Sequence, residues 1–73
     1  PAPRPLRLTR VIYREREGAF ARDWKNFDAV AKGEVLARYA DGAELTASED
    51  GFVVMPYSSC PLGEEWFYLA VAG

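Results

Sequence analysis

Between Gly33 and Pro56 the chain reads GEVLARYADGAELTASEDGFVVMP, three short apolar runs separated by Asp41-Gly42 and Asp50-Gly51. Val35, Leu36, Tyr39, Leu45, Phe52, Val53 and Val54 favour extended backbone, and a Gly that follows Asp tolerates the positive φ of a tight turn. The pattern predicts strands over 34–39, 43–47 and 52–55. They are expected to form an antiparallel meander with both Asp-Gly pairs as hairpin tips. Upstream, Leu6 to Glu15 (LRLTRVIYRE) is rich in Val, Ile, Thr and Tyr and reads as the first strand. On a period of two, Thr9, Val11 and Tyr13 share one face while Leu8, Arg10, Ile12 and Arg14 share the other, one side mainly core and the other mixed. Downstream, Ser58, Ser59, Pro61 and Gly63 mark a loop, and Trp66 to Val71 (WFYLAV) is the last strand.

That last strand is apolar on both faces, with Trp66, Tyr68 and Ala70 opposing Phe67, Leu69 and Val71. Val53 and Met55 oppose Phe52 and Val54 in the same way. Such strands ask for cover on both sides, either from a second layer of a sandwich or barrel or from a neighbouring domain docked on one face. The stretch from Phe20 to Lys32 is ambiguous: Phe20, Trp24 and Phe27 fall at helical spacing before Gly33, a possible helix C′ residue. Asp23, Asn26 and Asp28 compete for backbone hydrogen bonds, and the segment is short for a stable helix. A loop with at most one helical turn near residues 20–31 is expected. Residues 1–5, PAPRP, read as an extended linker, and 6–73 as one all-β domain.

Composition supports a folded unit: of 73 residues 49% are hydrophobic and 14% aromatic. A domain of this size buries only about 60% of its unfolded surface, so its stability is marginal. The net charge of -2 is uneven. Arg4, Arg7, Arg10, Arg14 and Arg16 make the first strand basic, while the rest of the chain is acidic. Glu15 and Glu17 dilute the basic stretch and the acidic remainder repels phosphate, which argues for a solvated strand face and against nucleic acid. The single cysteine, Cys60, allows no intrachain disulfide, and no apolar run approaches the length of a membrane helix. A cytoplasmic location without membrane partners is expected. The chain opens at Pro1 with no initiator Met, which suggests a piece of a longer protein.

Catalytic chemistry is sparse. The chain has no histidine, so the usual general base and the Ser-His and Cys-His pairs are missing. Zinc would have to be held by carboxylates and Cys60 alone, a rare ligand set, and calcium-loop spacing is absent. Cys60 has no evident cationic neighbour to activate it. Glu64 and Glu65 could act as an acid-base pair, but adjacent residues on a strand face opposite ways, so at most one could serve a given site. Single, scattered glycines do not build a phosphate loop.

Read together, NFDAVAKGEVLA, the following DG, EDGFVVMP and GEEWFYLA resemble the carboxy-terminal domain of the succinylglutamate desuccinylase and aspartoacylase family, over residues 9 to 71. V-x-K-G-x-x-L-A before a DG turn is widespread in barrel-sandwich hybrid domains, the biotinyl and lipoyl type. Its combination with F-V-V-M-P and G-E-E-W-F-Y-L-A is what points to this family. Asp23-Trp24-Lys25 is also similar to the corresponding segment of animal aspartoacylases. The resemblance implies a small barrel-sandwich hybrid joined to a zinc-carboxypeptidase-like domain, where a His-x-x-Glu pair and a later His hold zinc. It implies that the chain alone is not an enzyme and that its parent hydrolyses linear amide C–N bonds of an N-acyl amino acid or similar small amide. The implied partners are the parent's own catalytic domain and that amide substrate, with homo-oligomerisation also open. By position, Glu64 or Glu65 and Tyr68 are the implied substrate-channel residues, although Trp66-Phe67 departs from the animal pattern. The alternatives are a free-standing protein-interaction module and a biotinyl or lipoyl carrier; the latter requires a lysine at a hairpin tip, whereas Lys25 and Lys32 both precede the meander.

Overall fold

Among the described residues seven strands follow one another with no helix: β1 (Leu6–Tyr13), β2 (Gly18–Phe20), β3 (Ala29–Val30), β4 (Val35–Tyr39), β5 (Glu44–Thr46), β6 (Gly51–Val54) and β7 (Glu65–Ala72). The structure is a computed structural model and describes residues 5–72, so most of the linker lies outside it. One sheet has the order β1-β7-β6-β3 and the other β2-β4-β5, and every pairing is antiparallel. The all-β expectation therefore holds.

The meander does not. The β4–β5 hairpin turns at Asp41-Gly42, where Gly42 has φ 93° and the Asp41 carboxylate accepts the Ala43 N–H. After β5, however, the chain leaves that sheet, and β6 pairs with β3 and β7 in the other. Asp50-Gly51 is thus a crossing between layers rather than a hairpin tip. Gly51 is required by proximity: a Cβ there would stand 2.3 Å from the Ala70 carbonyl oxygen. Asp50 accepts the Lys32 N–H, tying the crossing to the β3–β4 turn. That turn, Ala31 to Glu34, uses Gly33 at φ 87° and closes with Glu34 N–H to Ala31 C=O. Gly33 ends a β-turn, not a helix.

The segment from 20 to 31 holds no helix: Phe20 ends β2 and Ala29–Val30 form β3. The helical spacing of its aromatics is met instead by a loop whose one deep anchor is Trp24, buried, with its indole N–H donating to the Leu36 carbonyl at 2.9 Å. Phe27 is exposed.

Three departures from strict alternation set the packing. Between Leu8 and Arg10 the β1–β7 register shifts by one residue, as it does between Ile12 and Tyr13, where Phe67 pairs with Ile12 but Glu65 with Tyr13. The first bulge moves Leu6 and Leu8 onto the face of Val11 and Tyr13, and the buried side of β1 is Ile12 alone, contrary to the face assignment made from period two. The second lets Trp66 and Phe67 both turn inward. Phe20 of the opposite sheet stacks on Trp66 at 5.2 Å and meets Phe67 edge-on at 5.6 Å, with Tyr39 6.2 Å from Trp66. Both adjacent side chains are almost wholly buried. This aromatic group, with Leu36, Ala37, Val53 and Cys60, is the core between the layers. A third shift lies in β4–β5 between Val35 and Ala37.

Candidate functional site at the start of β7

Ahead of β7, the backbone is fastened to β1 from both sides. Arg14 N–H donates to Glu64 C=O at 2.9 Å and Gly63 N–H to Arg14 C=O at 2.7 Å, with Gly63 at φ 87°. Tyr57 N–H donates to Trp66 C=O, and Cys60 N–H to Tyr57 C=O, so the 57–64 loop folds back on the strand it precedes.

The Arg14 side chain locks this arrangement. One Nη donates to the Cys60 carbonyl at 2.6 Å and the other to the Gly18 carbonyl at 2.8 Å, while the guanidinium carbon lies 5.7 Å from the Trp66 ring centre. Only 18% of the side chain is exposed. Three elements that share no strand pairing with one another, the loop, the start of β2 and the end of β1, are held by this one side chain. The sequence placed Arg14 in a solvated basic stretch. No residue type in the sequence marks this role, since the acceptors are backbone carbonyls that any residue carries.

On this base Tyr13, Tyr57, Gly63, Glu64 and Glu65 line a shallow, open hollow. Glu64, just before β7, and Glu65, its first residue, both border it, and the next residue, Trp66, is the one skipped between the Tyr13–Glu65 and Ile12–Phe67 pairs. Tyr68 is brought to Glu65 by the same irregularity, its hydroxyl donating to the Glu65 carboxylate. That bond raises the Tyr68 pKa above the ordinary phenol value, helped by partial desolvation and by the negative charge of Glu65. Glu64, Glu65 and Tyr68 therefore share one patch, the phenol a held donor and the carboxylates acceptors.

Neither Tyr68 nor Cys60 is placed to act as a nucleophile. Tyr68 keeps its proton well above neutral pH, and a phenol so held does not serve as a base. Cys60 lies beneath, fully buried, its thiol within 3.2 Å of the Pro61 carbonyl and 3.4 Å of that of Glu65. Burial pushes its pKa up more than the Arg14 charge lowers it, so the thiol stays protonated and inaccessible. The donor set does not fit zinc: the chain has no histidine, and among the described residues no three carboxylate or thiol groups converge. Among the described residues no helix is long and apolar enough to cross a membrane. Comparison with protein-family models, curated proteins and solved structures finds no match to this chain.

Proposed function

We propose that this chain is the non-catalytic carboxy-terminal domain of a cytoplasmic, zinc-dependent amidohydrolase of the succinylglutamate desuccinylase and aspartoacylase type, built as a barrel-sandwich hybrid. In this reading it borders the substrate channel of its parent, which acts on an N-acyl amino acid or similar small amide. The observation that carries the reading is the grouping of Glu64, Glu65 and Tyr68 on one exposed patch above a rigid core. Tyr68 donates its one proton to Glu65, so the pair offers acceptor oxygens already held in place, which suits binding a hydrogen-bond-donating polar group at low ordering cost. In this reading the chain's own residues position and select, while the zinc and its ligands belong to the parent's other domain.

A free-standing interaction module is the second reading, favoured by the exposed apolar side chains of β1. A carrier domain gains nothing from the structure: Lys25 is paired with Asp23 in a loop, and Lys32 lies in a turn joining strands of different sheets. The coding sequence upstream of the Pro1 codon separates the first two. A His-x-x-Glu and a later His in frame are expected there. An initiator codon close upstream, or a long upstream frame without those ligands, overturns the hydrolase reading. Metal analysis of the isolated chain is expected to find less than stoichiometric zinc, and one tightly held zinc per chain would contradict the assignment of metal to the parent's other domain.

A further inference from the structure

β1 closes one side of the four-stranded sheet, and its outer edge pairs with no other strand among the described residues. At eight residues it is as long as the central β7, and unusually long for a free edge. Its two faces are chemically distinct. Leu6, Leu8, Val11 and Tyr13 are 38%, 54%, 37% and 46% exposed and lie on one face, because the bulge after Leu8 resets the alternation. Arg7 and Arg10 stand on the other face, exposed and in no ion pair among the described residues.

An added strand must satisfy both faces. A second copy of β1 running antiparallel would bring Arg7 and Arg10 close to the same arginines of its partner, and like charges across a strand pair are destabilising. Arginines and a bulge at an edge therefore block self-pairing. They do not block a strand that carries carboxylates on the arginine face. Such a strand would neutralise two uncompensated cations, extend the apolar row on the opposite face, and take up the free backbone donors and acceptors of β1. We propose that β1 is a strand-addition site for an extended acidic peptide segment in which apolar residues alternate with Asp or Glu. Backbone hydrogen bonds supply the affinity, and Arg7 and Arg10 supply the selection. This inference does not rest on the hydrolase reading: it needs no catalytic domain, and of the residues around the Glu64–Tyr68 patch it shares only Tyr13.

The test uses the full chain and a fluorescein-labelled, acetylated octapeptide of alternating valine and glutamate, followed by anisotropy, with backbone amide shifts to locate the contact. Binding is expected, with shifts concentrated over Leu6 to Tyr13 and an affinity that falls about tenfold between low and moderate salt. The valine-lysine peptide and a fully N-methylated valine-glutamate peptide are expected to bind at least about tenfold more weakly. Arg7→Gln with Arg10→Gln should produce the same loss while leaving the urea midpoint unchanged, because both side chains are exposed. Should that pair perturb the fold, the peptide controls on the unaltered chain decide the matter. Equal binding of the lysine or N-methylated peptide, shifts located elsewhere, or no binding up to millimolar peptide overturns the proposal. So does sedimentation equilibrium showing a dimer that the acidic peptide fails to dissociate.

Discussion

Removing the Arg14 guanidinium should cost this domain a large fraction of its stability, although the residue reads in sequence as one of five surface arginines. In Arg14→Ala two short, charge-assisted hydrogen bonds vanish, to the Cys60 carbonyl at 2.6 Å and the Gly18 carbonyl at 2.8 Å. Hydrogen bonds to a charged group contribute about 1.5–3 kcal/mol each, and a cation over an indole adds about 0.5–2 kcal/mol. Against these stands the cost of holding a mostly buried cation, including its Nε, which is buried without a partner. An unpaired polar group of this kind costs about 1–3 kcal/mol. The net loss is then about 2.5–5 kcal/mol, against a total of about 4–11 kcal/mol for 73 residues. Urea unfolding followed by tryptophan fluorescence reads this directly, because Trp24 and Trp66 are both buried. Arg14→Lys is the informative companion. A single ammonium on a flexible stem cannot reach both carbonyls in the fork geometry, so lysine should recover less than half of the loss. If the alanine variant lies within about 0.5 kcal/mol of the parent chain, or lysine restores stability fully, the clamp is not what joins loop, β2 and β1.

The two buried tryptophans should respond differently to phenylalanine. Trp24→Phe loses a paired indole N–H and leaves a gap, costing about 2 kcal/mol, whereas the Trp66 N–H is buried without a partner, so Trp66→Phe removes an unmet donor and should stay within about 1 kcal/mol of the parent; paired urea curves check the contrast. Because the Cys60 thiol is held protonated in the folded state, unfolding releases its proton more readily as pH rises. Stability should be flat in this group below about pH 8.5 and fall above it, and Cys60→Ala should lack that extra slope in denaturation curves run from pH 7 to 9.5. Glu65→Gln should lower the Tyr68 pKa toward the ordinary phenol value, as followed by carbon chemical shift of the ring; an unchanged titration would mean that the hydroxyl is not bonded to that carboxylate in solution. Deleting Glu65 should be far worse than Glu65→Ala, because only the deletion restores alternation and forces Trp66 or Phe67 outward, at about 3–5 kcal/mol. Thermal melts within a few degrees of each other would refute the role of the bulge.

Element type was legible because it rests on local composition. Val, Ile, Tyr and Phe clusters gave the long strands, and Asp41-Gly42 gave the tight turn between β4 and β5. Sheet membership was not legible, since Asp50-Gly51 carries the same turn chemistry as Asp41-Gly42. What distinguishes it is a carbonyl on β7, nineteen positions away along the chain at Ala70, that leaves no space for a Cβ. The aromatics between Phe20 and Phe27 misled through spacing, because Trp24 reaches the core from a loop by donating its N–H to Leu36. Of the candidate site, the three residues Glu64, Glu65 and Tyr68 were reachable from the sequence, but their grouping was not. An odd and an even position on one strand meet only if the alternation breaks between them, and no residue type announces that break.

That break links the core to the surface. Trp66 and Phe67 can both enter the core only because Trp66 is skipped in the β1–β7 pairing, and the same skip leaves Glu65, paired with Tyr13, on the face of Tyr68. The inward turn of two large rings and the outward placement of a carboxylate beside Tyr68 are therefore one backbone event. The packing of Phe20 against Trp66 and Phe67 holds the bulge in place, and Arg14 holds the loop that leads into it. The same logic operates on β1, where a bulge after Leu8 gathers four apolar side chains on one face and leaves two arginines on the other. In a chain too short to build a deep pocket, shifting the register by one residue is a means of concentrating unlike chemistry on separate faces without adding an element. The surfaces so made are a polar patch on the β7 side and an amphipathic edge on the β1 side, and both depend on irregularities that the core packing enforces.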